Sequence, residues 1–131
     1  MEEGFTLKDG GMIATNQVLY NLSRRGVEWD LLPWCRQHRI PVMAYSPVEQ
    51  GRLLKNQALQ AIAQQQGVTT AQIAITWLLQ QEQVIVIPKS SSIKHIEQNY
   101  AALNLELSVA DLEALDAAFP PPSQRVSLEM L

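Results

Sequence analysis

Three short apolar stretches along the chain predict β-strands. Residues 12–20 (MIATNQVLY) follow a Gly-Gly turn, and residues 41–45 (PVMAY) follow a predicted helix end. Residues 84–87 (VIVI) form a continuous β-branched run without polar alternation. This run is too short for a helix and is typical of a parallel strand that is covered on both faces.

The segments between these strands carry the spacing of amphipathic helices. Residues 30–39 are predicted to form a helix with Asp30 as its cap. Residues 56–66 place apolar side chains opposite a glutamine-rich face. Gly67 follows them, where a helix-ending glycine is expected.

Three further helices are predicted to begin at hydroxyl side chains. Thr69 and Ser108 are each followed three residues later by the second member of a capping box, Gln72 and Asp111. Three consecutive prolines end the last helix, because proline has no backbone donor. Ser92 begins a helix in which four apolar residues share one side: Ile93, Ile96, Tyr100 and Leu103.

The resulting order of elements is a βαβ succession. Right-handed crossovers place such strands parallel in one sheet, with the helices outside. The sequence therefore predicts an α/β fold. All of residues 1–131 are expected to form one domain, since domains usually contain roughly 100–200 residues.

Composition narrows the class of protein. Hydrophobic residues make up 47% and charged residues 18% of the chain, which argues against a disordered polymer. A net charge of −3 without a basic stripe argues against nucleic-acid binding. No apolar run approaches the ~20 residues of a membrane span, and the acidic first residues are unlike a signal peptide. The single cysteine, Cys35, favours a reducing cytoplasm.

Known catalytic motifs are missing from the sequence. It has no dinucleotide-binding glycine motif, P-loop, nucleophile elbow or H-E-x-x-H. His38, His95 and Cys35 lack the spacing of metal ligands, so no metal site is expected. They are interpreted as a helix-surface histidine, a helix-start histidine and a half-buried structural thiol.

One segment, residues 87–99 (IPKSSSIKHIEQN), combines a lysine, three serines and a predicted helix start after a buried strand. Unpaired amides at a helix start, the charge of Lys89 and serine hydroxyls together favour phosphate binding. The alternative is that Ser92 only caps the helix and Lys89 is only solvated. The pattern by itself leaves both interpretations open.

Four motifs, in order and at matching spacing, resemble the C-terminal part of the aldo-keto reductases. They are TNQVLY, WCRQHRIPVMAYSPVEQGRLL, GVTTAQIAITWLL and IPKSSSIKHIEQN, and the resemblance runs from about Leu7 to Phe119. It implies an NADPH-dependent carbonyl reductase family built on a TIM barrel, here about strands six to eight with their helices. Within the family, the sequence is most similar to bacterial reductases of aldehydes and methylglyoxal-type dicarbonyls.

The resemblance assigns cofactor-binding residues one by one. Gln17, at the end of the family's sixth strand, would bond the nicotinamide carboxamide, and Tyr45, at the end of the seventh, would stack on the ring. Ser46 and the backbone of residues 48–53 would approach the pyrophosphate. Two residues would face the adenine: Gln98 and Asn99.

The adenosine 2′-phosphate would be held by the serine segment. The resemblance places Lys89 and Ser90 on this phosphate, with Ser91 and Ser92 beside it. His95 stands where many family members have an arginine. Because an imidazole is a weaker partner than a guanidinium fork, the expected NADP binding is weak or vestigial.

The resemblance also indicates what the chain lacks. The family's reductive chemistry rests on a tyrosine, a lysine, an aspartate and a histidine from early strands, and this sequence begins after the pattern's fifth strand. None of Tyr20, Tyr45 and Tyr100 has a lysine and an aspartate spaced as the family has them. We therefore expect no catalytic residues and a truncated reductase that is inactive alone. Met1 corresponds either to an internal methionine of a once longer gene or to the start of a piece cut deliberately from a longer protein, and the sequence leaves both open.

Two other functions stay open at this point. One is a non-enzymatic oligomerising or interaction module that reuses barrel pieces with no ligand; the other, an enzyme with new chemistry, has no supporting constellation. Three strands cannot close a barrel, so an open face is expected, carrying Val18, Val42, Val86 or their neighbours. Exposed edges favour pairing with another chain, which predicts a homodimer or larger assembly.

Overall fold

A computed structural model of the chain describes residues 2–6 and 12–131. Its sheet contains three parallel strands in the order β1-β2-β3: β1 (Asn16–Leu19), β2 (Val42–Tyr45) and β3 (Val84–Val86). The α/β class and the parallel arrangement are confirmed. The first strand is shorter than predicted, because pairing with β2 begins only at Asn16, opposite Val42. The predicted Gly-Gly turn before it lies outside the described residues.

Helices flank the sheet along the described chain. Their bounds are α1 (Glu2–Thr6), α2 (Leu31–Gln37), α3 (Gln57–Gln66), α4 (Thr70–Leu79), α5 (Ile93–Ala101) and α6 (Val109–Ala118). Short 3-10 turns cover Gly26–Glu28, Glu49–Lys55 and Ala102–Asn104. The predicted succession of helices and strands is therefore confirmed.

The helix starts follow the predicted caps, with one exception. Both capping boxes form, with the side chains of Thr69 and Ser108 accepting from the backbone three residues on. Gly67 ends α3 with a φ of 68°, the left-handed conformation that glycine adopts at little cost. Asp30 precedes α2 but its side chain makes no capping bond, and it instead pairs with Arg125 at 2.8 Å.

The hydrophobic core lies between the sheet and the helices on one of its faces. Val18, Val42 and Ala44 point into it from the strands, where they are buried. The middle of α4, residues 72–78, is buried all round because this helix contacts α3, α5 and β3. A helix surrounded in this way needs apolar residues on every side, which explains its weak amphipathic pattern.

The other face of the sheet carries the chain neighbours of the three valines named in the sequence analysis. Gln17, Met43 and Ile85 lie on one rung of the sheet, and none of the three is buried. Of the expected set, Val18, Val42 and Val86 themselves do not line this face, since they lie among or against the core residues, whereas their chain neighbours Gln17, Met43 and Ile85 do. Side chains alternate along a strand, so a shift of one residue exchanges the two faces. We call the exposed side, defined by Gln17, Met43 and Ile85, the open face.

Candidate functional site

The carboxyl ends of the three strands meet at one edge of the sheet. Leu19 pairs with Tyr45, and the Ile87 amide donates to the Ala44 carbonyl at 3.3 Å. The loops that leave β1, β2 and β3 therefore start side by side. In barrels of parallel strands this edge carries the binding and catalytic groups.

Two of the expected site residues lie on the open face near this edge. Tyr45 is the last residue of β2 and is half-buried, whereas Gln17 is exposed and is only the second residue of β1. Gln17 pairs with Met43, two residues before the rung that holds Tyr45. The prediction that Gln17 ends its strand is therefore wrong by two residues, although both side chains share the open face.

The loop after β2 has an unusual backbone conformation. Ser46, Glu49 and Gln50 have φ values of 50°, 49° and 55°, and Gly51 has 87°. Left-handed conformations are unfavourable for residues that have a Cβ, so such a loop must be held by other contacts. One of them is the Asn21 side chain, whose amide donates to the Ser46 carbonyl at 3.0 Å.

A buried carboxylate provides the other contacts. Glu49 accepts from the Asn21 amide at 2.7 Å and from the Arg24 Nε at 2.9 Å. Burial by itself would raise the pKa of Glu49, but the bonds from Arg24 and Asn21 and the charge of Arg24 lower it below its usual value. We call Asn21, Arg24 and Glu49 the loop triad. It joins the loops after β1 and β2.

Sequence reasoning did not identify the loop triad. The only signal is an acidic residue in the otherwise neutral run SPVEQG, preceded 25 residues earlier by the basic pair RR. Sequence separation of that size carries no information about contact until the pairing of β1 with β2 is known. The tertiary structure brings these residues together because the two strands are neighbours.

Residues 89–92, which we call the serine segment, lie in the turn between β3 and α5. Ser92 caps α5 and accepts from the His95 amide at 3.5 Å. Ser90 Oγ accepts from the Ser92 amide at 3.1 Å. The interpretation of Ser92 as a helix cap is therefore confirmed. Lys89 and Ser91 are exposed, and within the described residues Lys89 makes no ion pair.

The remaining predicted residues follow on α5. His95 is exposed, while Gln98 and Asn99 are half-buried. Positions three and four residues apart on a helix are neighbours, so these three share one side of α5. This side continues from the Ser92 cap. The structure therefore brings the serine segment and the expected adenine-facing residues onto one continuous surface.

The chemistry of this surface suits a phosphate. It offers backbone amides at the start of a nine-residue helix, an exposed ammonium at Lys89 and an exposed hydroxyl at Ser91. Phosphate oxygens accept hydrogen bonds from all three kinds of donor, and the helix dipole favours an anion there. The residues present therefore fit the phosphate end of a dinucleotide.

Tyr20 does not present its hydroxyl as a proton donor at this edge of the sheet. Tyr20 is fully buried, its ring lies edge-on to Trp77, and its hydroxyl donates to Glu28 at 2.8 Å. Burial, followed by the charge of Glu28, raises the pKa of Tyr20 far above its usual value. Glu28 is in turn bonded to Arg25, which also reaches Asp116 of α6. Tyr20 is thus part of the internal packing.

Comparisons with known proteins assign the family. Residues 5–119 match the sequence model of the Aldo/keto reductase family. Methylglyoxal reductase YeaE of Escherichia coli strain K12 is 46% identical over 136 aligned positions, which cover 100% of this chain and 48% of the relative. Methylglyoxal reductase DkgB of Escherichia coli O157:H7 is 32% identical, over 89% of this chain and 43% of its own length.

A solved structure agrees with this assignment. An aldo-keto reductase from Klebsiella pneumoniae in complex with NADPH superimposes with a TM-score of 0.96 at 44% identity, covering 99% of this chain and 48% of that one. The chain thus belongs to the aldo/keto reductase family, and its parallel sheet is part of a TIM-barrel fold. It spans about half the length of the curated relatives it matches.

No helix in the described ranges is long and apolar enough to cross a membrane. Among residues 2–6 and 12–131, no three side chains of His, Cys, Asp or Glu come together as metal ligands.

Proposed function

We propose that this chain supplies the NADP(H)-binding part of an aldo/keto reductase barrel. The observation that carries the proposal is the exposed Lys89 beside the capped start of α5, at the carboxyl edge of the sheet. Lys89 and Ser90 hold the 2′-phosphate, with Ser91, Ser92 and His95 around it. The other proposed cofactor contacts are Gln17, Tyr45, Ser46, Gln98 and Asn99.

The proposal assigns binding, and no catalysis, to these residues. NADPH supplies a hydride when it is bound to an enzyme of this type. The chain orients the cofactor from one side: the phosphates lie at α5, and the nicotinamide lies over the open face near Gln17 and Tyr45. The tyrosine, lysine, aspartate and histidine of the family's chemistry are proposed to lie in the half of the fold that this chain does not span.

A fluorescence titration with NADPH tests the binding. We expect a saturable change with a dissociation constant no tighter than high micromolar, competed by 2′,5′-ADP. Two hydrogen bonds to charged groups are lost on the side of the cofactor that this chain does not contact. Their loss costs about 3–6 kcal/mol, which weakens the affinity by about two to four orders of magnitude. Lys89→Ala should abolish the remaining binding. Arg39→Ala is the matched control, because it removes one positive charge at the opposite end of β2.

The phosphate assignment is wrong if Lys89→Ala binds as well as the parent chain. Equal losses in Lys89→Ala and Arg39→Ala would also contradict it, since they would indicate a general effect of net charge. Both variants alter exposed side chains, so circular dichroism should show unchanged folds.

The chain alone is expected to lack carbonyl reductase activity. A general acid must lie within about 2.6–3.2 Å of the atom it protonates, and Tyr20 is buried against Glu28 instead. NADPH oxidation in the presence of methylglyoxal, the substrate class named for two relatives, should equal the buffer blank. A rate that rises with protein concentration and disappears in Lys89→Ala would contradict this expectation.

A second candidate is a cytoplasmic, non-enzymatic module that forms homo-oligomers and binds no ligand. The exposed open face, with Ile85 at 42% exposure, favours it. The NADPH titration separates the two candidates. No change up to millimolar cofactor, together with a stable oligomer, supports the module.

A further inference from the structure

Residues 123–131 follow α6 without forming a helix or a strand, and we call them the strap. Two ion pairs hold the strap to the segment between β1 and α2. Arg125 pairs with Asp30 at 2.8 Å, and Glu129 pairs with Arg24 at 2.8 Å. All four side chains are partly or largely exposed, and exposed ion pairs contribute little to stability. The strap is therefore held weakly, and its detachment does not require the core to unfold.

A close apolar contact lies between the two ion pairs. The Val126 side chain packs on Gly26 and leaves no room for a Cβ on the glycine. Within the described chain, and apart from the adjacent residues, Val126 is the only side chain that such a Cβ would approach within 4 Å. The Gly26 backbone does not adopt a left-handed conformation, so it would accept an alanine. The strap is thus the neighbour that requires a glycine at this position.

Arg24 connects the strap to the loop triad. Its Nη1 donates to Glu129 at 2.8 Å, while its Nε and Nη2 each lie 2.9 Å from the Glu49 carboxylate. Because the guanidinium group is planar and rigid, a single orientation of Arg24 serves both carboxylates. Glu129 therefore helps to fix the group that holds Glu49.

The loop after β2 depends on this support. Glu49 and Gln50 have left-handed backbones, with φ values of 49° and 55°, which residues with a Cβ adopt only at a cost. Glu49 also faces Arg52, but that ion pair is longer, at 3.9 Å, and the Arg52 side chain is more exposed than that of Arg24. Arg24 is therefore the stronger charged support, and without Glu129 it holds the loop less firmly.

We propose that the strap stabilises the conformation of the loop after β2 and thereby regulates dinucleotide binding. When the strap is closed, Glu129 fixes Arg24, and Arg24 fixes Glu49 and with it the loop. When the strap lifts, the loop leaves its left-handed conformation more often. The loop backbone is proposed to approach the pyrophosphate, so a closed strap favours the dinucleotide, and by linkage a bound dinucleotide favours the closed strap. This last step rests on the proposed function, whereas the effect of the strap on the loop does not.

Hydrogen exchange measured by mass spectrometry tests the effect on the loop. In Gly26→Ala the new Cβ displaces Val126 and lifts the strap. The amides of residues 46–55 should then exchange at least about fivefold faster, which is the lower end of typical coupling between sites. Val126→Ala removes the atom that the Cβ would meet, so the double variant should exchange like Val126→Ala alone. Glu129→Gln should also accelerate exchange of residues 46–55, and Glu113→Gln, an exposed change on α6, is its matched control.

Trypsin cleavage after Arg125 reports the position of the strap itself. Cleavage should be faster in Gly26→Ala than in the parent chain, and the double variant should be cleaved at the rate of Val126→Ala. Unchanged or slower exchange of residues 46–55 in Gly26→Ala and Glu129→Gln overturns the proposal. Exchange that accelerates equally in β2 and α4 overturns it as well, since it would indicate general destabilisation.

Titrations with two nucleotides test the link to binding. NADPH carries a pyrophosphate and should bind Gly26→Ala and Glu129→Gln at least about fivefold more weakly than the parent chain. Removing the negative charge of Glu129 would by itself favour an anion, so a loss in Glu129→Gln must come from the contact with Arg24. 2′-AMP carries only the phosphate proposed to lie at the serine segment, so its affinity, measured by ligand-observed NMR, should not change.

Equal losses for NADPH and 2′-AMP overturn the step that links the strap to the dinucleotide. If the parent chain binds neither nucleotide, the proposed function and this step are both wrong. The exchange of residues 46–55 still decides the effect of the strap on the loop, because it is measured without nucleotide.

Discussion

At the scale of single residues, Glu49 has the most demanding environment in the described chain. Its carboxylate is buried and its backbone adopts a left-handed conformation. It lies in the loop after β2, whose backbone is proposed to approach the pyrophosphate of the cofactor. Three side chains compensate for the burial: Arg24 by a hydrogen bond and its charge, Asn21 by a hydrogen bond, and Arg52 by its charge at 3.9 Å. Each hydrogen bond to a charged group is worth roughly 1.5–3 kcal/mol, which is comparable to the roughly 1–3 kcal/mol of strain of one left-handed residue.

The lowered pKa of Glu49 predicts a pH dependence of stability. The folded-state pKa is below the unfolded one, so the unfolded chain binds the proton more tightly. The stabilisation is complete above the ordinary carboxyl range and is lost as pH falls through the folded pKa. Glu49→Gln should therefore reduce the free energy of unfolding near neutrality and flatten its decline in acid.

Urea unfolding at a series of pH values measures this effect. Glu113→Gln is the matched control, since it removes an exposed carboxylate of α6. The two variants should differ most near neutrality and converge in strong acid. Parallel curves for Glu49→Gln and the parent chain would contradict the role given to the loop triad.

At the scale of elements, the helices begin where their caps are satisfied. Asn56 accepts from two backbone amides, Ala58 at 2.9 Å and Leu59 at 3.3 Å. Asp30 stands at the same position before α2 but makes no capping bond. Asn and Asp are both favoured cap residues, but the local backbone geometry forms the capping bond only at Asn56.

Asn56→Ala should lower the free energy of unfolding by about 1 kcal/mol, because two orphan amides of α3 lose their acceptor. Asp30→Ala should cost less than about 1 kcal/mol, since it removes only an exposed ion pair with Arg125. Chemical denaturation of both variants measures the difference. A larger loss for Asp30→Ala would contradict the assignment of the two caps.

At the scale of the whole molecule, the sheet is covered on one face and open on the other. On the covered face, helices bury the strand residues Val18, Val42 and Ala44. On the open face, no such burial is found for Gln17, Met43 and Ile85. Both outer strands also have free edges along the described chain. Surfaces of this kind favour association with another chain.

When it is purified alone, the chain should therefore form homo-oligomers. Size exclusion with light scattering is expected to give at least twice the monomer mass, and the midpoint of thermal unfolding should rise with protein concentration. Ile85→Lys, which charges the open face, should shift the population toward monomer; Lys94→Asp is its control. A cooperatively unfolding monomer at micromolar concentration, with a midpoint independent of concentration, would contradict this prediction.

Local signals in the sequence determined the type and order of the elements. Hydroxyl and amide caps, the Gly67 stop and the β-branched run at 84–87 act over a few residues, so their effect is readable without the fold. The serine segment was readable for the same reason. Its lysine, hydroxyls and helix start are consecutive in the chain, and the structure keeps them together.

Tertiary structure decided which face of each strand is covered and which distant residues meet. Alternation gives two faces, but only the strand register puts Gln17 beside Met43 and Val18 in the core. The loop triad depends in the same way on the pairing of β1 with β2, across 28 positions between Asn21 and Glu49. The amphipathic pattern of α5 was visible in the sequence. Whether its apolar side is buried depends on whether a neighbouring element covers it, and a local pattern carries no information about that.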